Sequence, residues 1–479
     1  MAVAAVGLLG ITALATDAGL WLVSRRNAQN TADVASYGGV RVLAARGAAE
    51  AINAAQDSVL RNGFALADIQ AINVGLWNGT TFTAMALGSA NIAAANAVRV
   101  EISQPQRLGL ARLLQTVIPS AWGGATSANE EGGPACTLSV NPPGGETNQV
   151  DGRTIVGGSV TIEAPDCVMA ANDTSGKSVQ YNGNSGPNIA GFRSAGSCFN
   201  CDGAGVPYQE GTATPDPFKY LQSLTMGSLT CTRPRYWNGA PLADGSNEVL
   251  GRNIGSARDP RWAPPNANNY THITMQGSTS GTARAICAEV GDISLSSGQT
   301  LTLGTGTHYF DGTSLSANAG ATIECAGCGR DVGTQTVTGV TLVFTNTSGD
   351  PAGTISINGG ATVQLNAPGV GQGVPTPAYD GILIYRTPVG GAENGSPAMQ
   401  INGNADSWLF GGIYAPTSEI EVSGNSISNA PDGWAGLDGG CTSIVGGRIT
   451  FSGNATVNIN ACDVTGTAVA KPLVSRLVQ

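Results

Sequence analysis

Four short turns recur in the second half of this sequence: Asn358-Gly359-Gly360, Asn402-Gly403-Asn404, Ser423-Gly424-Asn425 and Ser452-Gly453-Asn454. Each separates two runs in which apolar and polar residues alternate. Ile355 and Ile357 precede the first turn and Val363 and Leu365 follow it; Ile420, Val422, Ile449, Phe451, Val457 and Ile459 repeat the pattern around the later ones. Glycine and asparagine supply the positive φ that a tight turn needs, and a period of two marks strands with one buried face. The region is therefore confined to short β-strands. Uneven spacing of the turns fits stacked coils of unequal length, a β-solenoid. A β-sandwich is the alternative, since the same turns serve hairpins. With 68 glycines, 12% charged and 5% aromatic residues, the composition agrees with many turns and small side chains.

This texture fills residues 131–479, and two different textures precede it. A chain of 479 residues suits several domains at ~100–200 residues each. The predicted fold class is α+β: an N-terminal helical region over 1–66, a small α+β domain over 67–130, and the large all-β region. Met1 to Val23 is apolar except for Thr12, Thr16 and Asp17. At 1.5 Å per residue its first sixteen residues reach ~24 Å, and continuing to Val23 clears a hydrocarbon core of ~30 Å. A cleaved signal peptide would carry a basic start, which is absent, and the helical pattern runs on through the polar boundary. From Asn27 to Leu66 the residues Ala28, Ala32, Ala35, Val42, Ala45 and Ala49 keep helical spacing, with a kink expected at Gly38-Gly39. Small residues so spaced admit a close lateral helix partner; packing on the chain's own domain is the other reading. "AINVGLWNG" and "NAVRVEIS" read as strands and "RLGLARLLQTVIP" as a short helix.

Net charge is −10 and no stretch collects five or more Lys or Arg, which excludes nucleic-acid partners. All ten cysteines lie beyond residue 130: Cys136, Cys167, Cys198, Cys201, Cys231, Cys287, Cys325, Cys328, Cys441 and Cys462. They suit an oxidising, exported setting. The expected pairs are Cys136 with Cys167, Cys441 with Cys462, and each CxxC closing its own loop; Cys231 and Cys287 are further disulfide candidates.

Catalytic chemistry finds little to use. His272 and His308 are far apart and outside any metal-spaced motif, so neither a zinc site nor a serine triad is assembled from them. The two CxxC pairs stand too far apart for a zinc ribbon, and neither sits in the βαβ context of a redox enzyme. The catalytic alternative is a polysaccharide-cleaving β-helix using Asp350, Asp380, Asp406 and Glu419 with Arg386 or Arg448, which are scattered in the sequence. The expectation is no enzyme, no metal centre and no cofactor, a structural Ca²⁺ in acidic loops being the one exception considered.

The N-terminal stretch "GLLGITALATDAGLWLVSRRNAQNTADVASYGGVRVL" resembles the TadG-like family of the Tad (tight adherence, Flp-type) pilus machinery. The likeness is carried by Asp17, Gly19, Trp21, Arg25, Arg26, Gln29, Asn30, Ala32, Asp33 and Ala35. The far half is similar to that family's Gly-rich β-region through "LGTGTHYFDG", "GVTLVFTN", "VQLNAPGVG", "DGILIYRTP" and "FGGIYAPTSEIEVSGN". Two departures stand out: no basic stretch precedes the apolar helix, which points to a processed form, and no Asp-x-Ser-x-Ser metal motif is present. Arg25 and Arg26 after the helix favour a cytoplasmic C-terminus by the positive-inside tendency. The cysteines favour export, and export is the expectation.

The resemblance implies a non-enzymatic subunit of an extracellular filament, docking through an assembly helix with Asp17, Trp21, Arg25, Arg26, Gln29 and Asp33. Its partners would be copies of itself or Tad pilins, and the inner membrane before assembly. The β-region would project for adhesion, with a surface glycan as a further partner. A membrane-anchored periplasmic assembly factor is the alternative, and a polysaccharide-binding or polysaccharide-cleaving β-helix protein the third reading. Asp17 is expected either at the membrane interface, where a carboxylate is tolerated, or against Arg25 or Arg26 of a neighbouring copy.

Overall fold

The computed structural model describes residues 2–106, 119–141, 150–158, 162–183, 186–232, 235–237, 248–250, 252–253, 262–263, 271–278, 283–287, 292–331, 334, 336–389, 397–403, 407–424, 441–452, 455–456 and 462–479, with the side chains of the first helix from residue 15 on. The chain divides into two units.

The first unit holds Met1–Gly132, Gly211–Ala213 and Leu473–Gln479. Helix α1 (Ala2–Arg46) runs unbroken through Gly38-Gly39. The break falls instead at Gly47, whose φ of 85° suits glycine and ends the helix before α2 (Ala48–Arg61). Gly39 serves packing: a Cβ there would lie 3.1 Å from the Ala51 carbonyl oxygen, so its absence lets α2 fold back closely. An antiparallel sheet follows, with β1 (Ile69–Trp77), β2 (Phe82–Ala84), β3 (Ala97–Pro105) and β4 (Ser120–Glu131) in the order β2-β1-β3-β4, extended beyond β4 by the Leu473–Leu477 strand from the far end of the chain. β1 and β3 are the two strands expected from sequence. The expected helix over "RLGLARLLQTVIP" falls on residues 107–118, outside the described residues, and Pro119. Ala28, Ala32, Ala35, Val40 and Leu43 of α1 share one core with Val98, Val100, Ile102 and Ala125 of the sheet.

The second unit holds Gly133–Glu210 and Thr214–Pro472. Its strands form a mostly parallel network in three rows. One row runs through Ile293–Leu295, Leu315–Ala317, Ile355–Ile357 and Met399–Gly403. A second runs through His272–Met275, Thr300–Gly304, Thr322–Ala326 and Thr362–Asn366. The third runs through Arg284–Cys287, Gly306–Asp311, Val340–Thr345 and Ile382–Arg386. Long strands at Trp408–Gly424 and Thr442–Phe451 continue the rows.

The stacking order departs from chain order. Ala135–Ser139 and Thr154–Gly158, from the start of the unit, pair in parallel with Thr442–Phe451 near its end, Val445 lying opposite Leu138 and Ile449 opposite Thr154. Arg448 fixes this junction through Asp151, its Nη2 2.6 Å from one carboxylate oxygen and its Nε 3.1 Å from the other. Arg153 adds contacts of 3.1 Å to Asp151 and 2.8 Å to Asp173.

Alternation in the first two rows has the consequence the sequence implies. Ile355, Ile357, Val363, Leu365, Ile420, Val422, Ile449 and Phe451 are all buried in one continuous core, each worth about 1.5–3 kcal/mol of burial; Val457 and Ile459 lie outside the described residues. The third row is buried on both faces: Val340–Thr345 and Ile382–Arg386 have every residue covered. Phe310 and Phe344 stack on the core side, with ring centroids 4.7 Å apart. On the other side Tyr309, Val343, Tyr385 and Tyr414 form a second apolar cluster with Phe218 and Leu221.

Candidate assembly helix

The spacing of Ala28, Ala32 and Ala35 places them on one helical face, and all three are fully buried. They reach the sheet because β4 offers Gly123 beneath them: a Cβ on Gly123 would stand 2.4 Å from the Ala28 carbonyl carbon. Gln29 then bonds to the sheet backbone like another peptide group. Its amide donates to the Gly124 carbonyl at 2.9 Å and its oxygen accepts the Gly124 N–H at 3.3 Å. The same amide donates to Asp33 at 2.8 Å. Further along, the Ser36 and Ser127 hydroxyls meet at 2.9 Å, and the Asn129 amide donates to the Val40 carbonyl at 2.9 Å.

Two turns before this docked face, the Trp21 indole N–H donates to the Ser120 carbonyl at 3.3 Å. The Arg25 guanidinium lies 5.7 Å from the Trp21 ring centroid, within cation–π range. Arg25 and Arg26 are exposed, and Asp17 is half-buried. Of the six assembly residues, Trp21 meets Arg25 and Gln29 meets Asp33. Around the helix outside the docked face, Leu20, Leu22, Val23 and Val34 are each more than half exposed. Among the described residues no helix is long and apolar enough to cross a membrane; the described side chains include only the last turns of the apolar stretch.

The described residues weighed for catalysis make structural contacts. Arg386 is buried, its Nε donating to the Gly353 carbonyl at 2.9 Å, Nη1 to the Ser418 hydroxyl at 2.6 Å and Nη2 to the Ala352 carbonyl. Asp380 accepts the N–H groups of Gly371 and Gly373, both at 2.7 Å, and so shapes a loop. Arg448 and Glu419 belong to the junction with Asp151. Asp350 accepts the Ser348 hydroxyl at 3.0 Å, and Asp406 lies outside the described residues. Among the described residues no group of three or more His, Cys, Asp or Glu is placed to hold a metal. His308 is buried with Nε2 2.7 Å from the Gly304 carbonyl, and burial holds its pKa down to about 4, so the ring is neutral and donates from Nε2. Cysteines pair as 136–167, 198–201, 231–287, 325–328 and 441–462. Both CxxC motifs are thus closed as disulfides.

Sequence reasoning missed a strap. Residues 214–229 lie along the third row. Thr214 exchanges hydrogen bonds of 2.8 and 2.7 Å with Asn172, Phe218 packs edge-on against Tyr414 at 5.6 Å, and the Leu221 carbonyl accepts the Tyr385 hydroxyl at 3.0 Å. Beyond it, the Thr230 N–H donates to the Ala283 carbonyl at 2.9 Å and Cys231 is joined to Cys287. The Tyr414 hydroxyl donates to Asp216 at 2.7 Å and accepts from Gln222. Burial raises the pKa of Asp216 and pushes Tyr309, Tyr385 and Tyr414 well above the ordinary phenol range, so these phenols stay protonated. The available signal was the continuous apolar runs "VTLVFT" and "ILIYR", which announce strands covered on both faces.

Two family models match the half-docked helix and part of its sheet. Residues 1–50 match the Flp pilus-assembly TadE/G-like model, and residues 28–123 match the Tad-like Flp pilus-assembly model. Over its first 123 residues the chain is similar to the TadG-like proteins of the Tad/Flp pilus family. Neither a curated protein nor a solved structure matches it. The matched span covers α1, its small-residue contact with β4 at Gly123, and the six residues expected in an assembly helix.

Proposed function

We propose that this chain is a non-enzymatic structural subunit of an extracellular Tad-type filament. The observation that carries the reading is the division of α1: an alanine face locked onto its own sheet, and the remaining circumference with Val34 and the upstream Leu20, Leu22 and Val23 exposed. A helix so placed is anchored as a rigid part of its domain yet offers apolar surface to copies of itself or to Tad pilins. In this reading residues 1–66 dock, 67–130 support the docking helix, and 131–479 project. The three parallel rows and their shared core support reading that projecting part as a β-solenoid, stapled by five disulfides and suited to adhesion on a surface glycan. The N-terminal stretch resides in the inner membrane of an exporting cell envelope before assembly.

The test measures the chain in sheared surface material and in membranes for the wild type, Val34→Asp and Asp17→Ala. The subunit reading expects wild-type chain in the sheared fraction and strong depletion of Val34→Asp there, with that variant retained in membranes. Depletion of Asp17→Ala as well would assign the carboxylate to an intermolecular contact. Wild-type chain confined to membranes would make it a periplasmic assembly factor instead.

A further inference from the structure

Two tryptophans flank one end of the first unit's sheet. Trp21 reaches the Ser120 carbonyl from the helix side. Trp122, two residues further along β4, is 48% exposed, and strand alternation turns it to the opposite face from Ala121 and Gly123, which lie under the helix. The indoles thus bracket the same sheet end from both sides. Arg25 sits over Trp21 and Arg26 beside it is exposed, two cations on a chain whose net charge is −10. Immediately upstream, Leu20, Leu22 and Val23 are exposed. From Ala2, where α1 begins, to Trp21 a helix spans roughly 30 Å at 1.5 Å per residue, the thickness of a hydrocarbon core.

We propose that Trp21, Trp122, Arg25 and Arg26 form a collar that seats the first unit on the headgroup layer of an anionic phospholipid bilayer. The inference rests on the reading that the N-terminal stretch inserts in a membrane before assembly. Indole rings favour the boundary where an apolar body and a polar N–H are both satisfied, and guanidinium groups one turn above them meet lipid phosphates. Asp17, one turn below Trp21 on the same face, then lies just inside the boundary, where its carboxylate stays within reach of water and headgroups. The collar sets how deeply the chain sits, because Trp122 belongs to the sheet and cannot follow the helix further in.

The full-length chain is reconstituted in vesicles of equal parts phosphatidylcholine and phosphatidylglycerol, with bromine carried either near the headgroup or deep in the acyl chain of one lipid at a time. Quenching is assigned by difference, using Trp21→Phe and Trp122→Phe. The collar expects headgroup-proximal bromine to quench both indoles, brominated phosphatidylglycerol to do so more than brominated phosphatidylcholine, and that preference to be lost in Arg25→Gln/Arg26→Gln. Quenching of Trp21 with Trp122 untouched overturns the collar and leaves insertion standing. Deep bromine quenching both indoles also overturns it. Absence of quenching at both residues removes insertion itself, and the collar with it.

Discussion

Replacing Gly123 by alanine puts one methyl group where the helix backbone already lies. The added carbon would stand 2.4 Å from the Ala28 carbonyl carbon and 2.5 Å from both the Ala28 oxygen and the Gln29 nitrogen. Ordinary carbon contacts are about 3.5–4.0 Å, so α1 must withdraw from β4 by about 1 Å. Such overpacking costs about 1–3 kcal/mol. The withdrawal also stretches the two Gln29–Gly124 hydrogen bonds, now 2.9 and 3.3 Å, at about 0.5–1.5 kcal/mol each. The sum is about 2–4 kcal/mol when part of the strain relaxes. Gly38→Ala is the control: nothing lies within 4 Å of a Cβ there, and exchanging glycine for alanine inside a helix stabilises by about 0.5–1 kcal/mol. Hydrogen exchange followed by mass spectrometry reads both variants on peptides covering residues 28–43 and 120–131. Gly123→Ala should lose protection in both peptides by a factor of about 30 or more, while Gly38→Ala holds or gains. Equal protection in wild type and Gly123→Ala would refute the docking of α1 through its alanine face.

Tyr414→Phe removes the hydroxyl that donates to Asp216 at 2.7 Å and leaves a largely buried carboxylate short of a donor, a loss of about 1–3 kcal/mol; the exposed Lys219 in the strap should become trypsin-sensitive, and unchanged cleavage would argue against the strap. Cys231→Ser/Cys287→Ser opens a loop of sequence separation 56, for which chain entropy gives about 4 kcal/mol; urea unfolding should shift to lower concentration, with proteolysis beginning in residues 214–229. His308 is held neutral with a pKa of about 4, against ~6.5 in the unfolded chain. Its contribution is complete above the unfolded value and is lost as pH falls from about 6.5 to about 4, by about 3 kcal/mol, because only the unfolded state takes up the proton there. The stability difference between wild type and His308→Gln should follow that window, and a difference flat with pH would contradict the burial of a neutral ring.

Much of the second unit was legible because a one-faced strand writes its burial into every second residue, as at Ile355 and Ile357 or Val363 and Leu365. Strands covered on both faces give no alternation, so "ILIYR" announces a cover without saying what it is. The cover, residues 214–229, lies in a Pro- and Gly-containing stretch with no period of its own. Short-range cysteine pairs can be read from proximity in sequence, whereas Cys231 and Cys287 meet only because the strap's end pairs with Arg284–Cys287. The pairing of Leu138 with Val445 depends on which coils stack in space, and no local signal encodes it. In the helix, Gly38-Gly39 reads as a weak point by propensity, but Gly39 is used for close packing against Ala51 and the single Gly47 makes the break. Arg386 reads in the sequence as a candidate catalytic cation; the Ala352 and Gly353 carbonyls inside the fold take its guanidinium.

The most direct test of the filament reading is cryo-electron microscopy of material sheared from producing cells, with mass spectrometry of the same particles. The account expects filaments that contain this 48.2 kDa chain as a regular component, with the exposed face of α1 against a neighbouring helix. Filaments that lack the chain, with all of it recovered as separate particles in the membrane fraction, would contradict it.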